Sequence, residues 1–212
     1  RDFCLSRGLG DVYKRQDVAG LNDAISAKAD IIFMADDEEF VAINRHAGTA
    51  VSNTNSTALG YVTALKNAAG GLEGKHVLLI GAGRVGSCAA ELLIKESALV
   101  SVFDMDRGRA EALQNRFKGL RICDDLGKAM LESTTIFNAS PAVIPGEWVR
   151  EGAVIASPGV PFSFDRVGIG KARTLIHDPL QIGVSVMAVW SASMFLEMMP
   201  VLQGSPARSE VF

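Results

Sequence analysis

Histidine and cysteine are scarce in this chain, with three of each among 212 residues. His46, His76 and His177 lie far apart with no paired spacing, which excludes a metal centre built on histidine, and no metal is expected. Cys4, Cys88 and Cys123 are equally scattered, so there is no disulfide framework, and isolated thiols point to a reducing cytosol and a cytoplasmic protein. Positive charge is also short: 21 Lys and Arg stand against 24 Asp and Glu, a net of −3. Nothing in that balance attracts nucleic acid. Long apolar runs are missing too. The longest, Val186 to Leu202, is interrupted by Ser191, Ser193, Glu197 and Pro200 and falls short of the roughly 20 residues a bilayer requires. It reads as a buried closing helix that packs the core or a subunit interface, so a membrane role is not expected and a homodimer stays open.

The first 16 residues, RDFCLSRGLGDVYKRQ, lack an apolar period. They carry a net charge of +2, so the rest of the chain carries −5. Ser6 to Gln16 looks like the translation of a transposon-type sequencing adapter, so residues 1–16 are expected to be a non-native leader, with the native chain starting inside a domain near Asp17. A natural basic leader is the alternative. The remaining composition, 48% hydrophobic and 21% charged over the whole chain, is that of a globular protein of one or two domains.

What the chain does have is a glycine turn between two apolar strands. Val77 to Ile80 reads as a buried parallel strand, and Gly81, Ala82, Gly83, Arg84, Val85 and Gly86 follow with the G-x-G-x-x-G spacing at the mouth of a helix. Gly81 permits the tight turn, Gly83 lets backbone approach a pyrophosphate, and Gly86 allows the helix to pack closely on the strand. The helix amino end then faces phosphate. Leu99 to Phe103 forms the next strand, and Asp104 closes it 18 positions after Gly86, where a carboxylate accepts hydrogen bonds from an adenosine ribose. That carboxylate repels a 2′-phosphate and favours NAD. Arg107 keeps NADP open, because a guanidinium there suits the same phosphate.

The order of elements around that turn implies an α/β, Rossmann-type doubly wound parallel sheet with a partial amino-terminal α/β substrate lobe. Leu21 to Ala29 reads as helix and Ile31 to Ala35 as strand. Phe40 to Asn44 and Thr49 to Asn53 form a hairpin about His46, Ala47 and Gly48, with a short helix from Glu38 as the alternative. Asn53 to Ala69 is a helix linking the lobes, closed by Gly70, Gly71 and Gly74. After the glycine turn come helix 108–118, strand 120–123, helix 125–131 and strand 135–139, then strands 153–157 and 174–177. Residues 17–70 are assigned to the substrate lobe and linking helix, 71–192 to the nucleotide domain, and 193–212 to a closing helix and tail.

In such sheets ligands lie beyond the carboxyl ends of the strands. Asp36 and Asp37 end a strand where one of them can bind or deprotonate an amine, although Asp36 with Glu39 also fits a capping box. Asp178 ends another strand, and two acids in one cleft suit a cationic substrate. Asn53, Thr54, Asn55 and Thr57 open the linking helix, either as polar substrate contacts or as caps. Asn138, Ser140 and Pro141 follow one strand and Ser157, Pro158 and Gly159 the next. Ser140, Pro141 and Ser157 are expected to wall the nicotinamide side of the cofactor. His177 on a buried strand reads as structural rather than as a general acid.

The segments IIFMADDEEFVAIN, SNTNSTALGYVTAL, LLIGAGRVG, IFNASPA, VIASPGVP and DPLQIG, in this order, resemble the pyrrolysine-forming dehydrogenases, from about Asp17 to Ala192. The resemblance implies NAD-dependent oxidation of a lysine-linked methylornithine at the carbon bearing the terminal amine, with ammonia loss and ring closure. It implies that Asp36 is the catalytic acid of the substrate site, with Asn53, Thr57 and Asp178 binding substrate, and that part of the amino-terminal lobe is absent. Two departures stand out: Asp178 replaces the family's glutamate before the Pro-Leu pair, and Gln181 replaces a glycine. Asn53-Thr54-Asn55 and the glycine turn also resemble shikimate dehydrogenases, but Asn55 cannot transfer the proton that their acid does. A non-catalytic NAD-binding protein is the third alternative.

Overall fold

The computed structural model describes residues 3–5, 11–13, 18–35, 39–178 and 181–198. The chain divides into two compact units. The first comprises Arg1–Ser52 and Met187–Phe212, and the second Asn53–Val186.

In the first unit β1 (Phe3–Leu5) pairs antiparallel with β2 (Asp11–Tyr13). These three-residue strands fall within the expected leader and are too short to show a sequence period. Helix α1 (Val18–Ser26) precedes an antiparallel sheet of β3 (Ile31–Ala35), β4 (Phe40–Asn44) and β5 (Thr49–Ser52). The hairpin, not the alternative helix, forms. Asn44 explains why: its Oδ1 accepts from the His46 and Ala47 N–H groups at 3.0 and 2.9 Å, while Gly48 takes a φ of +64° that few side chains tolerate. Asn44 is buried, and its Nδ2 donates to the Ser191 carbonyl at 2.8 Å. Ala42, Val51 and Met187 form the unit's small core against Phe33, Phe40 and Trp190.

The second unit opens with α2 (Asn53–Ala69), followed by β6 (His76–Ile80), α3 (Arg84–Lys95), β7 (Leu99–Phe103), α4 (Arg107–Arg116), β8 (Arg121–Ile122), α5 (Leu126–Glu132) and β9 (Thr135–Asn138). A 3-10 turn (Gly146–Trp148), β10 (Val154–Ala156), α6 (Arg166–Lys171), β11 (Thr174–Ile176) and α7 (Gln181–Met198) complete it, the last running on into residues of the first unit. The six strands are parallel and ordered β8-β7-β6-β9-β10-β11. That is the doubly wound order, with its crossover reversal between β6 and β9.

Alternation along β6 shows why the sheet is buried on both faces. Val77 and Leu79 join Val100, Val102 and Phe137 in a core with Leu65 of α2, Leu93 of α3 and Leu113 of α4. Leu78 and Ile80 face the other way, onto Ile136, Ile155, Met130 of α5 and Phe164. Truncating one such fully buried leucine costs about 2–5 kcal/mol.

Three expectations change. Helix α2 packs into the core of the second unit through Ala58, Tyr61, Val62 and Leu65, so that compact unit begins at Asn53, whereas the helix was assigned with residues 17–70. Helix α7 begins at Gln181, ahead of the expected Val186, because the Asp178 carboxylate caps it through the Ile182 N–H at 2.8 Å. Helix α6 was not expected at all. Among the described residues, no helix is long and apolar enough to cross a membrane, and no His, Cys, Asp and Glu group could hold a metal ion.

Candidate functional site

The turn between β6 and α3 lies at the sheet's reversal point. Gly81 has φ +92°, and a Cβ on it would lie 3.1 Å from the Ala139 carbonyl carbon and 3.2 Å from the Ser140 nitrogen, so the turns after β6 and β9 touch through backbone alone. A Cβ on Gly86 would overlap the Gly81 carbonyl oxygen, which presses α3 against the turn. Gly83 differs from both, because a Cβ there would meet nothing within 4 Å. Its missing side chain serves no packing in the protein and leaves room outside it.

Helix caps sharpen that contrast. Asp106, Asp125 and Asp165 cap α4, α5 and α6 by accepting from Gly108, Lys128 and Gly168 N–H groups at 3.0, 3.0 and 2.8 Å. The cap of α3 is Gly83 itself, with no side-chain hydrogen bond. The first turn of an α-helix has N–H groups without internal partners and a partial positive charge, so the start of α3 at Gly83, Val85 and Gly86 has the chemistry to suit an anion. Room for a phosphate and donors to hold it coincide, and the residues fit a dinucleotide.

Asp104 ends β7 beside the glycine turn. Its Oδ2 accepts from Ala82 N–H at 2.7 Å and its Oδ1 from Asp106 N–H at 2.8 Å, fixing the carboxylate at the end of β7 with lone pairs left over. Arg107 turns to carboxylates: its Nε donates to Glu111 at 2.9 Å and its Nη1 to Asp124.

The opposite wall is a hydrogen-bonded unit. Asn138, fully buried, donates from Nδ2 to Ser157 Oγ at 3.1 Å and accepts at Oδ1 from Ser140 N–H at 3.1 Å. Ser163 Oγ donates to the Ser140 carbonyl at 2.9 Å, and Ile144 N–H to the Ser163 carbonyl at 2.8 Å. The loops bearing Ser140, Pro141 and Ser157 are therefore tied together by side-chain hydrogen bonds. Ser157 is fully buried, so its hydroxyl braces the wall from behind. His177 donates from Nδ1 to the Ser157 carbonyl at 2.8 Å and packs its ring 4.6 Å from Phe162. That supports its structural reading.

A second polar cluster surrounds Asp178, the next residue. Tyr61, 2% exposed, donates its hydroxyl to the Asp178 carbonyl at 2.8 Å and accepts from the Asp178 N–H at 2.9 Å. Burial, offset by that backbone hydrogen bond, raises the Tyr61 phenol above its ordinary value and keeps it protonated. A Cβ on Gly183 would overlap Thr57 Oγ1 and lie 2.8 Å from Asn53 Oδ1, so the first turn of α7 rests on the first turn of α2. Asn53 Oδ1 is buried without a hydrogen-bond partner among the described residues. An open depression lined by Asp178, Ile182, Ser185 and Val186 adjoins this cluster.

The sequence comparisons bear on both clusters. The model of the amino-terminal domain of the pyrrolysine biosynthesis protein PylD matches residues 9–51, starting inside the expected leader. The pyrrolysine synthases of Methanosarcina acetivorans and Methanosarcina barkeri are each 30% identical to the chain over 180 and 174 residues, 81% of its length in both cases. The chain belongs to the pyrrolysine synthase family. It spans 66% and 65% of those two relatives, just under two thirds. The shikimate / quinate 5-dehydrogenase model matches residues 63–151. Shikimate dehydrogenase from Aquifex aeolicus superposes with a TM-score of 0.61 at 15% identity, covering 82% of this chain and 76% of that one. Quinate dehydrogenase from Corynebacterium glutamicum in complex with NAD gives 0.56 at 15%, covering 91% and 85%. At such identities the shared property is the fold.

Within this pyrrolysine synthase family member the structure gathers Gly81 to Gly86, Asp104, Ser140, Pro141 and Ser157 around the ends of β6, β7, β9 and β10. It gathers Asn53, Thr57 and Asp178 where α2 and α7 begin. Asp36 and Asp37 lie outside the described residues. Tyr61 is the residue the sequence argument missed, although its spacing was visible: Asn53, Thr57 and Tyr61 recur every four residues on one face of α2.

Proposed function

We propose that the protein oxidises the amine-bearing terminal carbon of a lysine-linked methylornithine with NAD, releasing ammonia and closing a pyrroline ring. Bound NAD supplies the hydride acceptor. The observation that carries the cofactor half is the uncapped start of α3 at Gly83, with open space where a side chain would be. Family membership and the polar cluster at Asn53, Thr57 and Asp178 support the substrate half.

The substrate amine must be neutral before its carbon gives up hydride, so a carboxylate that holds the ammonium and takes its proton is required, and Asp36 is assigned that work. Loss of hydride leaves a substrate imine. Water adds to it, ammonia departs, and the substrate's α-amine condenses with the resulting aldehyde, releasing one water. Asp178 has Oδ2 committed to the Ile182 N–H, which leaves Oδ1 for a cationic group. Asn53 Oδ1, a buried acceptor without a hydrogen-bond partner among the described residues, suits a substrate N–H. Asp104 takes the adenosine ribose hydroxyls. The assignment of residues 17–70 as part of a substrate lobe belongs to the same proposal.

Following NADH absorbance with lysine-linked methylornithine and, separately, with shikimate tests this. NADH from the first substrate alone is expected, and a chain that binds NAD yet gives no NADH from it overturns the reading. Asp36→Asn is expected to abolish turnover with NAD affinity intact, and Asp178→Ala to raise KM more than it changes NAD affinity. The shikimate-dehydrogenase-like alternative has the family-model match over 63–151 in its favour. Against it, Asn55 accepts from Cys88 Sγ at 2.9 Å, and an amide there transfers no proton.

A further inference from the structure

The adenosine side of the glycine turn holds a group of charges that the reading above leaves unused. Strands β7 and β8 pair in register Ser101 with Arg121 and Val102 with Ile122, and Cys123 N–H still donates to the Val102 carbonyl at 2.8 Å. Two residues beyond that register, Asp124 comes level with Asp104 at the carboxyl edge of the sheet. Neighbouring parallel strands are roughly 4.8 Å apart, so extending the register sets the Asp124 backbone beside that of Asp104, whose carboxylate is the one assigned to the ribose.

Arg107 sits within reach of the same edge, as the first residue of α4, two residues beyond Met105. A guanidinium in that position is what a dinucleotide with a 2′-phosphate needs, because its planar donors match phosphate oxygens in pairs. Here both ends of the guanidinium are engaged, with Nε on Glu111 at 2.9 Å and Nη1 on Asp124. Arg109, the next arginine along, lies with Nε 3.4 Å from Asp106. Arg107 and Arg109 therefore each face a carboxylate of the protein.

We propose that Asp124 is a determinant of dinucleotide choice, engaging Arg107 so that its guanidinium is withheld from a 2′-phosphate. Asp104 disfavours the phosphate by repulsion; Asp124 removes the partner that would offset that repulsion. This rests on NAD as the cofactor. It predicts that the preference is divided between two strands, so that changing Asp104 alone leaves part of it in place.

The test is direct binding of NADH and NADPH to the purified chain, followed by nicotinamide fluorescence at fixed ionic strength. The side chains of Arg107 and Asp124 are 64% and 70% exposed, so Asp124→Ala and Asp124→Asn disturb no core. In each variant NADPH is expected to bind roughly three- to fivefold more tightly, as release of an exposed ion pair allows, and NADH to stay within about twofold. Adding Arg107→Ala to Asp124→Ala is expected to return NADPH to its original affinity. An unchanged NADPH affinity in both single variants, or a gain that persists in full without Arg107, overturns the clamp while leaving NAD as the cofactor. An unaltered chain that prefers NADPH overturns the NAD reading and the clamp with it, as does binding of neither dinucleotide.

Discussion

Gly83 and Gly86 stand three residues apart in one turn, and alanine at each should separate a ligand effect from a packing effect. Gly83 has φ −73°, which any residue adopts, and its Cβ would meet no protein atom within 4 Å. Replacing it lowers the entropy of the unfolded chain, worth about 0.4–1 kcal/mol in favour of folding. Alanine is a poorer cap than glycine, which offsets much of that. Gly83→Ala should therefore move Tm by no more than about 3 °C, using roughly 2–4 °C per kcal/mol for a chain of this size. Its methyl group would project into the space assigned to the pyrophosphate, and NAD affinity should fall tenfold or more, about 1.4 kcal/mol. At Gly86 the added Cβ would overlap the Gly81 carbonyl oxygen and lie 2.9 Å from the carbonyl carbon, so α3 must shift off the turn. Overpacking of this kind costs about 1–3 kcal/mol, so Gly86→Ala should lower Tm by roughly 2–12 °C and weaken NAD as well. Thermal unfolding and fluorescence titration on the two variants give the four numbers. Unchanged NAD affinity in Gly83→Ala would refute the assignment of that space to a phosphate.

Asn138→Ala strips partners from the Ser140 N–H and the Ser157 hydroxyl, both at 3.1 Å, and buried groups orphaned this way cost about 1–3 kcal/mol each. A Tm within a degree of the parent chain would show that water replaces the amide without loss. Asp165 holds its carboxyl below the ordinary aspartate value, chiefly through the Gly168 N–H. Its stabilisation is thus present above about pH 3.9 and disappears as pH falls through the lowered folded value, and the Tm gap between the parent chain and Asp165→Asn should close over that acid range. A gap that widens toward acid contradicts the sign. Burial pushes the Cys88 thiol up, with Glu91 adding to it, so alkylation of the Cys88 peptide at pH 8 should be slower than that of free cysteine, as read by mass spectrometry. Faster alkylation would mean the thiol is more exposed and more ionised than its position on α3 allows.

The nucleotide half was legible in the sequence because its instructions are backbone instructions. Gly81, Gly83 and Gly86 act through a positive φ, a missing Cβ and a close approach, and all three are fixed by spacing alone. The hairpin after β3 was legible through its turn residues His46, Ala47 and Gly48, whereas the brace supplied by the Asn44 side chain was not. Helix α6 was not, since Gly168 and Gly170 fall within its six residues, RVGIGK, and leave no apolar period to count. Long-range pairs were also hidden. Tyr61 and Asp178 are 117 residues apart, and neither side of that contact is marked by a motif, because the tyrosine binds backbone. Asp178 stood out as an acid at a strand end, but its second task as the cap of α7 appeared only once the helix start was fixed by the Ile182 N–H. Ser157 was expected to face the cofactor, and its burial reassigns it to bracing the wall, a distinction of side-chain direction that a loop sequence does not encode.

A dinucleotide held at the amino end of α3, as proposed above, would tie folding to its supply. Helices α4, α5 and α6 carry their own aspartate caps, whereas the cap of α3 is Gly83, with no side-chain hydrogen bond. A ligand that binds only the folded state adds RT ln(1 + [L]/Kd), about 2.7 kcal/mol at a hundredfold excess over Kd. That is a sizeable share of the 5–15 kcal/mol that holds a typical domain together. Newly made chains would then survive proteolysis in proportion to the dinucleotide around them, and the abundance of the protein would track the cell's cofactor pool before any substrate arrives.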